Sequence, residues 1–146
     1  MEPESAAEQL QSTLAIIKPD AVERGLTGVI IKRIEDERFT IIGMRLVHLT
    51  KREAEGFYAV HRARPFFGAL TDFMSSGPAV VLALQGEAAI SRWRQLMGAT
   101  NPAEADPDTL RRLYGSSIDR NATHGSDAPQ TAAFEVGYFF EGSEFI

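Results

Sequence analysis

Residues Ala79 to Leu84 read Ala-Val-Val-Leu-Ala-Leu, a run without a polar side chain that follows Gly77-Pro78. Such a short apolar run predicts a strand buried on both faces, so the chain must supply cover above and below it. Thr13 to Lys18 is β-branched and apolar, is closed by Pro19, and predicts a second buried strand. Thr40 to Leu49 alternates, with Ile42, Met44 and Leu46 on one side, and predicts a third. A short fourth strand is expected around Asn121 to His124.

Helical signals fill the gaps. Thr27 is placed to cap a helix with Val29, Ile30 and Ile34 on one face. Thr50 and Glu53 have the spacing of a capping box, and Ala54, Phe57, Tyr58 and His61 share the face that follows. Pro65 ends that helix, and Phe66 to Met74 predicts a shorter one. Ala89, Ile90, Trp93, Leu96 and Met97 mark an amphipathic helix, and a last helix is expected near Gln130 to Phe140. Residues 98–120 carry glycines and prolines and predict a long irregular excursion, which in a compact domain is usually functional. The order β-α-β-(α-α)-β-α-β predicts an α/β (α+β) sandwich of the ferredoxin-like, split βαβ kind. It would have a four-stranded antiparallel sheet covered by helices and a long inserted loop before the last strand. Residues 1–11 read as a flexible tail and 12–146 as a single domain.

Composition narrows the function. The 146 residues are 44% hydrophobic and 24% charged, ordinary values for a folded domain. No apolar run reaches the roughly 18 residues that span a membrane. The acidic, polar segment Met1 to Gln11 is unlike a secretory leader, so a cytoplasmic protein is expected. Cysteine is absent, which excludes thiol nucleophiles, disulfides and thiolate metal sites. A net charge of −5 argues against broad nucleic-acid binding.

Chemistry concentrates in Asn121-Ala122-Thr123-His124-Gly125-Ser126-Asp127. This stretch holds one of three histidines beside an amide, a hydroxyl and a carboxylate. Gly125 leaves room for a substrate, and Ser126 is placed to fix the ring. Taken alone, a histidine before glycine is better explained by a simple turn. His48 and His61 read as structural or solvent-facing.

Four segments together resemble nucleoside diphosphate kinases. They are Ile17-Lys18-Pro19-Asp20-Ala21-Val22, Arg64-Pro65-Phe66-Phe67, Gly98-Ala99-Thr100-Asn101-Pro102, and the stretch around His124. The resemblance runs in order from about Ser12 to Phe140. It implies a ping-pong transfer in which His124 takes the γ-phosphate of a nucleoside triphosphate, typically ATP, and passes it to a diphosphate. A neutral imidazole, with an unperturbed pKa of about 6.5, suits that role.

The resemblance also assigns roles by position. Lys18, Arg94 and Arg111 would meet phosphate, with Tyr58 and Thr100 as further phosphate-side contacts. Lys18 and Asn121 would meet the sugar hydroxyl. Phe66 would stack on the base, opposite Ile118, and such stacking is tolerant of base identity. Ser126 and Glu135 would support the imidazole. Magnesium would be carried mainly by the nucleotide phosphates, with no metal site in the protein itself. The chain would assemble as a homo-oligomer, a tetramer or hexamer or else a dimer. A non-catalytic nucleotide-binding or scaffolding protein of the same fold is the alternative. Two departures stand out. Arg112-Leu113 replaces a small residue and an aspartate, which removes an acidic anchor expected for the 98–120 loop. Ala133-Phe134 replaces charged residues and predicts that this helix face packs on something.

Overall fold

The computed structural model describes residues 10–142. Four strands, β1 (Leu10–Ile17), β2 (Thr40–Val47), β3 (Ala79–Glu87) and β4 (Thr123–Gly125), form one antiparallel sheet in the order β2-β3-β1-β4. That order is the ferredoxin-like arrangement the element pattern predicts. Among the described residues seven α-helices accompany it: α1 (Pro19–Glu23), α2 (Thr27–Asp36), α3 (Lys51–Phe57), α4 (Phe67–Met74), α5 (Ala89–Met97), α6 (Leu110–Tyr114) and α7 (Pro129–Phe139).

The two inner strands explain the double cover. Side chains alternate across a strand, so Ala15, Ile17, Val80, Leu82 and Leu84 point to one face and pack with Ile30 and Ile34 of α2 and Trp93 and Met97 of α5. Leu14, Ile16, Ala79, Val81 and Ala83 point to the other, against Phe57 of α3, Met74 of α4 and Phe139 of α7. Among the described residues no helix is long and apolar enough to cross a membrane.

Several boundaries differ from expectation, each for a local reason. Pro19 closes β1 but also opens α1, because the first helical position needs no N–H donor. Thr27 is the first residue of α2 rather than its cap. Leu26 already has helical dihedrals, and its carbonyl accepts from Ile30 N–H. The Thr50–Glu53 capping box forms, with hydrogen bonds of 3.1 and 2.9 Å. Its helix stops at Phe57, followed by a 3-10 turn over Ala59–His61, and Phe66 caps α4. A bulge between Ile41 and Gly43 breaks the alternation of β2. Ile42 therefore packs on the α3 side, while Met44 and Leu46 lie on the opposite face. At this outer strand they stay 54% and 70% exposed.

The 98–120 segment is more ordered than its composition predicts. It holds a 3-10 turn at Pro102–Glu104 and helix α6, capped by the Thr109 hydroxyl. Arg112 anchors it without an acidic partner, donating to the Ala103 carbonyl at 3.1 Å. Phe134 is 53% exposed and touches Tyr138 on its own helix, so the expected cover for that face is not present among the described residues. Leu10 and Gln11 belong to β1, and residues 1–9 of the expected tail lie outside the described residues.

Candidate active site

His124 sits at the middle of β4, paired with Ile16 of β1. Its Nε2 lies 2.9 Å from Glu135 Oε1 on α7. The same oxygen accepts the Ser126 hydroxyl at 2.8 Å, and Ser126 Oγ accepts Leu14 N–H from β1 at 3.2 Å. A carboxylate only accepts here, so Nε2 carries the proton and Nδ1 presents its lone pair. Ser126 thus acts on the ring through Glu135 rather than directly. Phe57 and Tyr58 set their rings edgewise to the imidazole, at centroid distances of 5.4 and 5.8 Å.

Tyr58 is buried, and its hydroxyl has no hydrogen-bond partner among the described residues. Burial pushes the phenol well above its ordinary pKa, and the Glu135 charge adds to the shift. It is a neutral donor awaiting an acceptor.

A second group gathers positive charge. Lys18, the N-cap of α1, donates to Asn121 Oδ1 at 2.8 Å, and Asn121 Nδ2 donates to the Thr100 carbonyl at 3.0 Å. Arg111 donates to the Gly98 and Thr123 carbonyls at 3.0 and 3.1 Å, while its buried Nε has no partner among the described residues. Burial, then the nearby Arg111, lower the Lys18 pKa to about 8. Burial, then Arg94, lower that of Arg111 to about 10. Arg111 thus bears on Lys18 and Arg94 on Arg111, and this gathered positive charge beside an unmet donor favours an anion.

The remaining expected residues are looser. Arg94 is exposed and pairs with Asp127 at 2.7 Å. Phe66 is 47% exposed at the start of α4, with His61 tilted against it, and Ile118 is 55% exposed in the loop. Among the described residues no group of three or more His, Cys, Asp or Glu side chains is placed to hold a metal ion.

Two buried contributors were not singled out from the sequence. The Trp93 indole N–H donates to the His124 carbonyl at 3.1 Å, where its helical spacing marked it only as core. Asp20 accepts Ala122 N–H at 3.1 Å, a backbone bond that leaves no mark in residue type.

The family model for nucleoside diphosphate kinase matches residues 11–145. The chain belongs to the nucleoside diphosphate kinase family. It is 62% identical over 135 residues to the nucleoside diphosphate kinase of Desulfovibrio desulfuricans, covering 92% of this chain and 97% of that one. It is 58% identical to that of Pelobacter propionicus, covering 94% and 100%. Among solved structures, the Aquifex aeolicus nucleoside diphosphate kinase superposes with a TM-score of 0.93 at 42% identity, covering 94% of this chain and all, 100%, of that one. A halophilic member from Halobacterium salinarum, solved in complex with CDP, gives 0.90 at 35% identity, with 94% and 92% covered. The match to the family model runs through helix α7 and includes Glu135.

Proposed function

We propose that this chain transfers the γ-phosphate of a nucleoside triphosphate to a nucleoside diphosphate through a phosphohistidine on His124. In the first half-reaction Nδ1 attacks the γ-phosphorus. An N–P bond forms, the bond to the bridging oxygen breaks, and that oxygen leaves with its electron pair on the departing diphosphate. In the second, a diphosphate oxygen attacks the phosphorus and the N–P electrons return to Nδ1. Glu135 stays hydrogen-bonded to Nε2–H throughout and stabilises the positive charge on the phosphorylated ring.

Lys18, Arg94 and Arg111 neutralise the transferring phosphates, which is most of what phosphoryl transfer asks of a protein. Tyr58 supplies its unmet hydroxyl, Thr100 a further phosphate-side contact, and Asn121 holds Lys18 and meets the sugar. Phe66 and Ile118 clasp the base. Magnesium enters on the nucleotide phosphates as part of the substrate. The exposed Met44 and Leu46 on the open strand β2 support a homo-oligomer, and we place the protein in the cytoplasm.

The observation that carries this reading is the His124–Glu135 bond, which leaves Nδ1 free beside an anion-seeking pocket. Incubation with γ-labelled ATP tests it. The label should sit on the protein, survive base, be lost in acid, and vanish in His124→Ala. An acid-stable label, or nucleotide binding without turnover, sinks the proposal, and the second outcome assigns a non-catalytic binding role.

A further inference from the structure

Ala122 is an alanine with φ of 73°, in the left-handed region that side chains avoid. Thr123 N–H donates to the Asn121 carbonyl across it at 2.9 Å. A three-residue turn with that φ is the rare, strained form of the γ-turn. Ala122 is fully buried, and the turn stands between Asn121, which holds Lys18, and His124. Strain of this kind persists only where neighbours over-determine it.

The neighbours are visible. Asp20, 4% exposed, accepts Ala122 N–H through Oδ2 at 3.1 Å. Lys18 N–H donates to the Ala122 carbonyl at 2.8 Å. Both come from the single turn at the start of α1, so one short segment grips the peptide groups on either side of the strained Cα. The Trp93 indole fixes the chain two residues on, at the His124 carbonyl. The carboxylate is the demanding part of this clamp, because its burial beside a backbone amide costs desolvation that a purely structural residue need not bear. Its second oxygen, Oδ1, is buried and unpartnered among the described residues. Its charge also helps to keep the neighbouring Lys18 protonated.

We propose that Asp20 is a positioning residue for phosphoryl transfer: its carboxylate holds Ala122 in the strained turn and so sets His124 in register with the Lys18–Asn121 pair. This rests on the phosphotransfer reading above. The base-stacking surface and the imidazole–Glu135 bond lie outside the clamp. Losing it therefore misplaces the nucleophile without removing the nucleotide's other contacts.

The test compares Asp20→Ala, Asp20→Asn and the double variant Asp20→Ala/Ala122→Gly by steady-state kinetics, with amide hydrogen exchange at Ala122 read in parallel. Asp20→Ala should lose at least tenfold in kcat with less than a threefold change in KM. Asp20→Asn, which keeps an oxygen acceptor, should retain most turnover. Glycine at 122 adopts a positive φ without strain, so the double variant should recover a large share of the loss. Ala122 exchange should speed up in Asp20→Ala. An Asp20→Ala enzyme with parental kcat, a loss confined to KM, or a double variant no better than the single overturns the proposal. If Asp20→Ala does not fold, Asp20→Asn alone decides. In that variant Ala122 exchange and kcat should move together: a tenfold kcat loss with parental exchange, or faster exchange with parental kcat, contradicts the clamp, whereas values that move together uphold it. A parent enzyme without transfer would instead refute the phosphotransfer reading, and unchanged Ala122 exchange in Asp20→Ala would still refute the clamp.

Discussion

The Lys18 ammonium is buried, bonded to one neutral amide, and faced by the guanidinium of Arg111. Asp20 and Asp119 pull its pKa upward, but burial and Arg111 win and leave it at about 8 against an ordinary 10.5. The free enzyme therefore loses this phosphate-binding charge as pH climbs through about 8. The pH profile of kcat/KM reports free-enzyme groups, so it should fall on its alkaline side with a midpoint in that region. Lys18→Arg, which stays charged, should flatten that limb whatever its absolute rate. A limb of unchanged midpoint would assign the ionisation elsewhere. Stability follows the same linkage. The unfolded chain binds the Lys18 proton more tightly, so folding carries a penalty below about 8 that fades toward 10.5. The thermal midpoint of the parent, measured against Lys18→Met, should therefore rise across that window. Glu135 acts at the same scale. Replacing it with glutamine keeps an acceptor for Nε2–H but removes the charge that stabilises a cationic ring. Turnover of Glu135→Gln should drop by about 10- to 100-fold with KM less affected, as single-turnover kinetics can read.

Among the elements, the contact between α5 and β4 decides how firmly His124 is held. A Cβ on Gly125 would lie 2.5 Å from Trp93 Cδ1 and 2.6 Å from Met97 Cε. Met97 can turn aside, but the Trp93 ring is fully buried and is bonded to the His124 carbonyl, so it cannot. Gly125→Ala should destabilise the fold by about 1–3 kcal/mol, seen as a thermal midpoint several degrees lower. A variant that melts with the parent would mean that α5 shifts freely. The same elements show what the sequence could reveal. The β3 run, the α5 periodicity and the Thr50–Glu53 box are local patterns, and each element formed where its pattern lay. The cluster around His124 was legible because its polar groups are neighbours in the chain. Helix α6 was hidden because its cap and anchor, Thr109 and Arg112, act on backbone within a segment rich in loop residues. The bulge in β2 was equally silent, since a one-residue insertion alters facing without altering residue type. Asp20 and Trp93 escaped for a related reason: both serve the site through hydrogen bonds to peptide groups.

At the scale of the whole molecule, both sheet faces are covered and β2 forms one of the two edges. β2 pairs only with β3 among the described residues, and its outer edge presents unpaired peptide groups. Natural sheets blunt such an edge with charge, proline or a covering segment. This one instead carries Met44 and Leu46 at 54% and 70% exposure, on the face covered further in by α2, where Val29 is 42% exposed. Exposed apolar side chains on an edge strand are costly in water and would be relieved by a second copy, since identical edges can pair about a two-fold axis. Sedimentation at micromolar concentration should therefore give the parent a mass that is a multiple of the 16.0 kDa chain. Met44→Glu/Leu46→Glu places charges on that edge and should yield the single chain, with a thermal midpoint below the parent's because folding is no longer coupled to assembly. His124, Glu135 and Lys18 all lie away from β2, so the dissociated variant should still form acid-labile phosphohistidine. A parent that sediments at 16.0 kDa, or a double variant with the parent's mass, would remove this edge as the interface.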